Sequence, residues 1–182
     1  YTMVRASGIT HDDIVLEVGP GKGVLTQKLL ETGATVVAVE MDTELLPLLE
    51  TTFAPQIAAG KLRLIHSDIL KFDVRKILRP YKVVANIPYY ITGEIIRMFL
   101  SSETQPTSMT LLVQKEVAER IAKSTKESIL SLSVKVYGTP TYVETVPREH
   151  SLPHQLLTLQ FCILQIFPAP DSGRFLMTIF SQ

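Results

Sequence analysis

The chain has few of the residues that covalent cross-links, metal sites and membrane insertion require. Its 182 residues include one cysteine, Cys162, and four scattered histidines, so no internal disulfide can form and no metal-ligand spacing is present. Tryptophan is absent, and no apolar run approaches the roughly 20 residues of a membrane span. The first residues also lack the basic and apolar succession of a signal peptide. We therefore expect a cytoplasmic protein that holds no metal and does not enter a membrane.

An excess of positive charge, the usual sign of a nucleic-acid-binding protein, is also missing. Lysine plus arginine and aspartate plus glutamate each number 18, so the formal net charge at pH 7 is zero. Net charge thus gives no support for a nucleic-acid partner. Hydrophobic residues make up 46% of the chain, which is enough to bury a substantial core in a single domain.

Alternating strand-like and helical runs make up most of the chain. Apolar and β-branched runs predict five strands, at residues 14–18, 35–39, 62–66, 81–85 and 109–113. Helical spacing of apolar residues predicts helices at 24–30, 43–53, 92–100 and 114–121, the second of them capped by Thr43. Further strands are predicted at 132–136, 142–146 and 163–167. This order predicts an α/β fold with a doubly wound, mostly parallel sheet that ends in antiparallel strands.

Glycine or a polar residue stands at the carboxyl ends of four predicted strands. The turn Gly-Pro-Gly-Lys-Gly at 19–23 follows the first, Glu40 ends the second, Asp68 follows the third and Asn86 the fourth. In a parallel sheet these ends meet at one edge, where ligands bind. Glycine lets a ligand approach bare backbone, and an acid some 20 residues further on can accept both hydroxyl protons of a ribose. The alternative for Glu40 is a solvated acid at a strand end.

The segment 86–89, Asn-Ile-Pro-Tyr, ends the fourth strand in a way that suits a base. Pro88 has no amide hydrogen to give the sheet, Asn86 offers a side-chain carbonyl as an acceptor, and Tyr89 supplies a flat ring. These groups could hold an amino-substituted base, and a plain strand-terminating turn is the alternative. His66, at the end of the third strand, is expected to be a packing residue because nothing nearby is spaced to orient it.

These motifs resemble those of the small-subunit ribosomal RNA adenine dimethyltransferases, a family of Rossmann-like class I methyltransferases that use S-adenosylmethionine. The matching stretches keep the family's order over roughly residues 8 to 147: VLEVGPGKGVLT at 15–26, VEMD at 39–42, SDIL at 67–70, VVANIPYYIT at 83–92 and VQKEVAERI at 113–121. The last stretch favours this family over the related enzymes that methylate large-subunit RNA and confer macrolide resistance.

The resemblance implies two sets of site residues. The implied cofactor-binding residues are Glu17, Gly19, Gly21, Gly23, Glu40, Met41, Asp68, Ile69 and Asn86. Among these, the glycine turn would pass under the methionine end of the cofactor, Glu40 would accept the ribose hydroxyls, and Asp68 would accept the amine of the cofactor's adenine. The implied catalytic residues are Asn86, Pro88 and Tyr89. Asn86 and the Pro88 carbonyl would receive the amine of the target adenine, and Tyr89 would stack on its ring.

The activity implied by the resemblance is transfer of methyl groups from S-adenosylmethionine to the exocyclic amine of adenines in small-subunit ribosomal RNA. The enzyme would be a monomer without a metal, acting on that RNA or on immature small ribosomal subunits. Three alternatives stay open: a catalytically weak methyltransferase-like module for RNA binding or ribosome assembly, a large-subunit rRNA adenine methyltransferase, and an NAD-dependent oxidoreductase. Val24 argues against the last, because the dinucleotide fingerprint has Gly or Ala there.

The match to the family is incomplete in three places. A Gln-x-Phe-Leu motif before Tyr1 and most of a basic C-terminal helical domain are missing, so we expect a methyltransferase domain over 1–169 and the start of that helical domain over 170–182. Between 151 and 162 the chain departs from the family's Pro-x-Pro-Lys loop. Two compensating frame slips or a lineage-specific loop would explain this, and either predicts cofactor binding with poor RNA methylation.

Overall fold

A computed structural model describes residues 2–78, 80–87, 89–122, 129–146 and 161–168. Its seven strands are β1 (Ile14–Val18), β2 (Thr35–Glu40), β3 (Leu62–His66), β4 (Lys82–Asn86), β5 (Ser108–Gln114), β6 (Gly138–Val146) and β7 (Phe161–Pro168). Its helices are α1 (Thr2–Ser7), α2 (Val24–Leu30), α3 (Leu46–Thr52), α4 (Ala54–Ala58), α5 (Thr92–Ser101), α6 (Lys115–Ala122) and α7 (Ile129–Tyr137). Short 3₁₀ turns span Ile69–Lys71, Val74–Lys76 and Tyr89–Ile91. None of the described helices is long and apolar enough to cross a bilayer.

The strands form one sheet in the order β3-β2-β1-β4-β5-β7-β6. Neighbours from β3 to β5 run parallel, whereas β7 is antiparallel to both β5 and β6. The first five predicted strands are confirmed, with ends that differ by at most one residue. The doubly wound sheet with an antiparallel end is confirmed as well. The strand order reverses between β1 and β4, which is where ligands bind in such sheets.

Helices cover both faces of the sheet, which explains why its central strands are almost continuously apolar. Alternate residues of a strand point to opposite faces. Leu16 of β1 therefore joins a buried cluster with α5 and α6, whereas its neighbour Val15 joins a second cluster that includes Leu29 of α2 and Leu49 of α3. In both layers the helices that follow the parallel strands begin near the carboxyl ends of those strands, so the connecting loops lie at that edge of the sheet.

The strand predicted at 132–136 is wrong, because these residues belong to α7. Burial follows helical spacing, with Ser131 and Val134 fully buried, while Leu132 and Val136 are 48% and 67% exposed. The helix packs on α5, α6 and β6. The place beside β5 that a strand could have taken is filled by β7.

Thr43 does not cap a helix, contrary to the prediction. Residues 43–45 form a turn in which Asp42 Oδ1 accepts a hydrogen bond of 2.9 Å from the Glu44 amide. The helix begins only at Leu46, preceded by Leu45 without any side-chain cap. Asp42 thus makes the local side-chain hydrogen bond to the backbone that the sequence predicts for Thr43. The predictions for 170–182, and most of those for 151–162, fall outside the described residues.

Candidate active site

The carboxyl ends of four parallel strands bring the predicted site residues to one edge of the sheet. In register, Val18 of β1 lies between Val39 of β2 and Ala85 of β4, and Glu40 lies beside His66 of β3. Since the turn 19–23, Asp68 and Asn86 directly follow or end these strands, they share this edge as predicted.

The glycine turn is wound in the left-handed region and lies against the hydrophobic core. Gly23 has φ +84°, and a Cβ there would lie 2.5 Å from Cε2 of Phe53. No other residue type fits that position without displacing the ring. The Gly19 amide donates to the Val39 carbonyl at 2.9 Å, which continues the pairing of β1 with β2 into the turn. The turn is therefore a fixed part of the site.

Glu40 joins the glycine turn to the segment after β2. Its Oε1 accepts hydrogen bonds from the amides of Met41 and Asp42 at 2.8 and 2.9 Å, and its Oε2 accepts one from the Gly21 amide at 3.0 Å. The residue is 7% exposed, so the alternative of a solvated acid is wrong. A carboxylate oxygen can accept two hydrogen bonds, so Oε2 keeps capacity for a ligand hydroxyl.

Glu17 is fully buried two residues before the glycine turn, with Thr26 as a weak hydrogen-bonding neighbour. Neither carboxyl oxygen makes a hydrogen bond of normal geometry, and the hydroxyl of the fully buried Thr26 is unpartnered too. Burial raises the pKa of Glu17 to about 8, with Thr26 opposing the rise and the nearby carboxylate of Glu40 adding to it. At neutral pH the group is therefore mostly protonated, so the Glu17 carboxyl and the Thr26 hydroxyl each hold a buried O–H donor that makes no regular hydrogen bond.

A cavity of about 370 Å³ opens in front of the glycine turn, a size typical of small-molecule sites. Met3 and Val4 of α1, the start of α2, Asn86 and Leu112 form its walls. Val24, the first residue of α2, is 77% exposed at this cavity. No sequence motif indicated that α1 contributes to this cavity.

The remaining residues predicted to bind the cofactor have mixed surroundings. Asp68 Oδ1 accepts from the Leu70 amide at 3.0 Å and starts a 3₁₀ turn, while its Oδ2 lies 3.7 Å from Nζ of Lys71. Ile69 is 6% exposed and packs in the core, whereas Met41 is 65% exposed. Ile69 can thus reach a ligand only through its backbone. The Met41 side chain is accessible.

Asn86 and Tyr89, which are predicted to hold the target base, lie at the end of β4 and just after it. Asn86 is exposed at the end of β4 and lines the cavity, while the next amide, that of Ile87, donates to the Leu112 carbonyl at 3.4 Å. Tyr89 begins the 3₁₀ turn that leads into α5. The roles predicted for Pro88 and for the side chain of Tyr89 fall outside the described residues.

Two further observations bear on the chemistry of this edge. Among the described residues, no cluster of three or more His, Cys, Asp or Glu side chains could hold a metal ion. His66 is exposed, contrary to the expected packing role, and its Nε2 lies 3.3 Å from the Met41 carbonyl. Since a carbonyl only accepts, this ring nitrogen is the donor. What the edge offers a ligand is hydrogen-bond acceptors and a shaped cavity.

Comparisons with known proteins found a matching family and similar enzymes. The model of the family "Ribosomal RNA adenine dimethylase" matches residues 2–177. The ribosomal RNA small subunit methyltransferase A of Dehalococcoides mccartyi is 46% identical over 149 residues, which are 80% of this chain and 50% of that protein. The enzyme of the same name from Alkaliphilus metalliredigens is 35% identical over 177 residues, 92% of this chain and 61% of its own length.

Solved structures show the same fold. A dimethyladenosine transferase from Plasmodium falciparum aligns with TM-score 0.75 and 27% identity over 93% of this chain and 61% of its own. The 23S rRNA methyltransferase ErmE aligns with TM-score 0.77 and 23% identity over 93% of this chain and 66% of its own. The fold is thus the Rossmann-like class I methyltransferase fold. The chain spans about half the length of the Dehalococcoides mccartyi relative. From the family match over residues 2–177 and from these relatives, the chain belongs to the ribosomal RNA adenine dimethylase family.

Proposed function

We propose that the chain is an S-adenosylmethionine-dependent methyltransferase that acts on the exocyclic amine of adenines in small-subunit ribosomal RNA. The observation that carries the proposal is the cavity that joins the glycine turn, held by Glu40, to Asn86 at the end of β4. The glycine turn and Asn86, the proposed base acceptor, therefore line one small space. Family membership and the names of the similar enzymes support the choice of substrate. We also propose a cytoplasmic location and a monomeric state.

The residues present fit the proposed cofactor. Gly19 and Gly21 expose bare backbone at the cavity, and Glu40 keeps acceptor capacity on Oε2 for ribose hydroxyls. Glu17 is a buried carboxyl group without a regular hydrogen bond, and an ammonium group that reached it would stabilise its ionised form. Met41, Asp68 and the Ile69 backbone would enclose the adenosine part. When bound, the cofactor supplies an electrophilic methyl group.

The chain's own residues then have a positioning task. The exocyclic nitrogen of adenine is a poor nucleophile because its lone pair is delocalised into the ring. Asn86, together with the carbonyl of Pro88, would accept its N–H bonds and hold the nitrogen with its lone pair directed at the methyl group. Tyr89 would stack on the base after it leaves its RNA stack, a contact of about 1–3 kcal/mol. Orientation and hydrogen bonding supply the rate enhancement.

Label transfer tests the proposal. The chain is incubated with S-adenosylmethionine carrying a labelled methyl group and, in separate reactions, with immature small subunits, small-subunit RNA and large-subunit RNA. Label in adenines of the small-subunit RNA, lost in Asn86→Ala, is the expected result. Label only in large-subunit RNA would reassign the substrate. Cofactor binding with no transfer to any RNA would indicate a binding module instead.

A further inference from the structure

A second depression lies on the free edge of the sheet, away from the cavity described above. It has a volume of about 720 Å³ and runs between β3 and the two 3₁₀ turns that follow it. Among the described strands, β3 pairs only with β2, so its other edge faces this groove. Arg63, Lys71 and Lys76 line the groove, and all are exposed.

The groove is locally cationic in a chain whose net charge is zero. Asp73 also lines it, but both its oxygens accept hydrogen bonds from Arg75, from Nε at 2.8 Å and from Nη2 at 3.0 Å. That paired geometry satisfies the carboxylate. Lys71 is 83% exposed and only loosely near Asp68, at 3.7 Å. With Lys71 ion-paired to Asp68 and one lining carboxylate against three lining cations, the groove still keeps a net positive charge.

One contact spans the groove, and a second connects it to the proposed cofactor site. Nη2 of Arg63 donates to the Lys76 carbonyl at 3.3 Å, which holds the guanidinium across the groove and leaves its other N–H groups available. His66 lines the same groove and contacts the carbonyl of Met41, the residue after Glu40. The end of the groove at His66 therefore adjoins the loop that would enclose the cofactor.

We propose that this groove binds the phosphodiester backbone of the RNA substrate, next to the nucleotide whose base reaches Asn86. The inference rests on the proposed function. Neighbouring strands are about 4.8 Å apart, so β3 lies roughly 14 Å from β4 across β2 and β1. An RNA strand of a few nucleotides spans that distance. Guanidinium and ammonium groups that face solvent suit phosphates, which they position without reading sequence.

The competing explanation is protection of an edge strand. Exposed Lys and Arg on a sheet edge discourage pairing with another chain. This explanation predicts aggregation when the cations are removed and no specific change in RNA affinity. The two explanations therefore predict different results: RNA binding predicts a change in RNA affinity, and edge protection predicts aggregation.

The test uses the triple variant Arg63→Ala/Lys71→Ala/Lys76→Ala. Its matched control, Lys61→Ala/Arg97→Ala/Arg120→Ala, removes the same charge from exposed positions outside the groove. The affinity for a labelled single-stranded fragment of small-subunit RNA is measured by fluorescence anisotropy, with S-adenosylhomocysteine present, over a salt series. A further variant, Lys71→Arg/Lys76→Arg, keeps the charge. Calorimetry with S-adenosylhomocysteine, and light scattering, are run on every variant.

Three lost phosphate contacts should reduce the slope of log Kd against log salt by about 2. Between about 50 and about 200 mM salt, the parent chain should then lose roughly 20-fold more RNA affinity than the groove variant. The control and the charge-preserving variant should keep the parent slope, and S-adenosylhomocysteine affinity should not change. A groove variant with the parent slope, aggregated or not, would overturn the proposal, as would a parent chain that does not bind RNA. If the slope falls as expected while no RNA is methylated, the groove stands and the proposed activity fails.

Discussion

Replacing Glu17 by glutamine should make the fold less sensitive to pH. Glu17 is fully buried without a hydrogen bond, and burial raises its pKa from an ordinary 4.5 to about 8. Between these values the native state keeps the proton that the unfolded chain has released. Folding therefore takes up a proton, and the free energy of unfolding falls as pH rises.

The size of the effect follows from the shift. Each pH unit in the window contributes about 1.4 kcal/mol, so the full window corresponds to about 5 kcal/mol. Below pH 4.5 both states are protonated and the group contributes nothing, whereas above about pH 8 the whole loss is present. Glutamine has the shape of the protonated acid and cannot ionise. The variant should match the parent chain near pH 5 and exceed its stability by several kcal/mol above pH 8.

Urea unfolding at a series of pH values measures the difference directly. Glu50→Gln, at an exposed position of α3, is the control and should follow the parent chain throughout. Parallel stability curves for the parent and Glu17→Gln would refute the reasoning. In that case the Glu17 carboxylate would be ionised and solvated, or paired with a group that the geometry does not show.

Three other substitutions have distinct expected outcomes. Gly23→Ala places a Cβ 2.5 Å from Phe53 and should lower the melting temperature by several degrees, as seen by thermal unfolding; an unchanged value would mean that the ring moves freely. Glu40→Ala should weaken S-adenosylhomocysteine binding about 10- to 100-fold, since bonds to a charged group contribute about 1.5–3 kcal/mol; equal affinity by calorimetry would contradict a ribose contact. Asn86→Ala should leave that affinity within a few fold but lower methyl transfer about 100-fold, a loss of roughly 2.7 kcal/mol; near-normal turnover would remove it from the mechanism.

Local sequence signals were sufficient for the parallel half of the sheet and for the edge where the site lies. Glycine, proline and β-branched residues act through their own backbone preferences, so Gly19 and Asn86 could be placed at strand ends without knowledge of the tertiary structure. Local signals were not sufficient for the segment 132–136. Its alternation resembles a strand, but β7 pairs with β5 and leaves α7 to cover helices instead. That outcome depends on residues about 30 positions further along the chain.

The cavity walls and the groove could not be predicted for a similar reason. Met3 and Val4 reach the cavity because α1 packs against β5 and β7, strands that follow it by more than 100 residues. Arg63 and Lys76 are 13 positions apart, and nothing in their spacing indicates one surface. Only the chain reversal after β3 brings them together.

The burial of Glu17 connects stability with ligand binding. An unpartnered buried carboxyl group destabilises the cofactor-free fold at alkaline pH, and a cation beside it would remove that penalty by favouring the ionised form. If the ammonium of the cofactor supplies the cation, binding releases a proton below about pH 8, and affinity rises with pH over the window in which stability falls. Glu17→Gln should remove both dependences together. If Glu17 only packs in the core, the substitution should remove the pH dependence of stability but not that of cofactor affinity. Calorimetry in buffers of different ionisation enthalpy measures the protons released on binding and so separates these two cases.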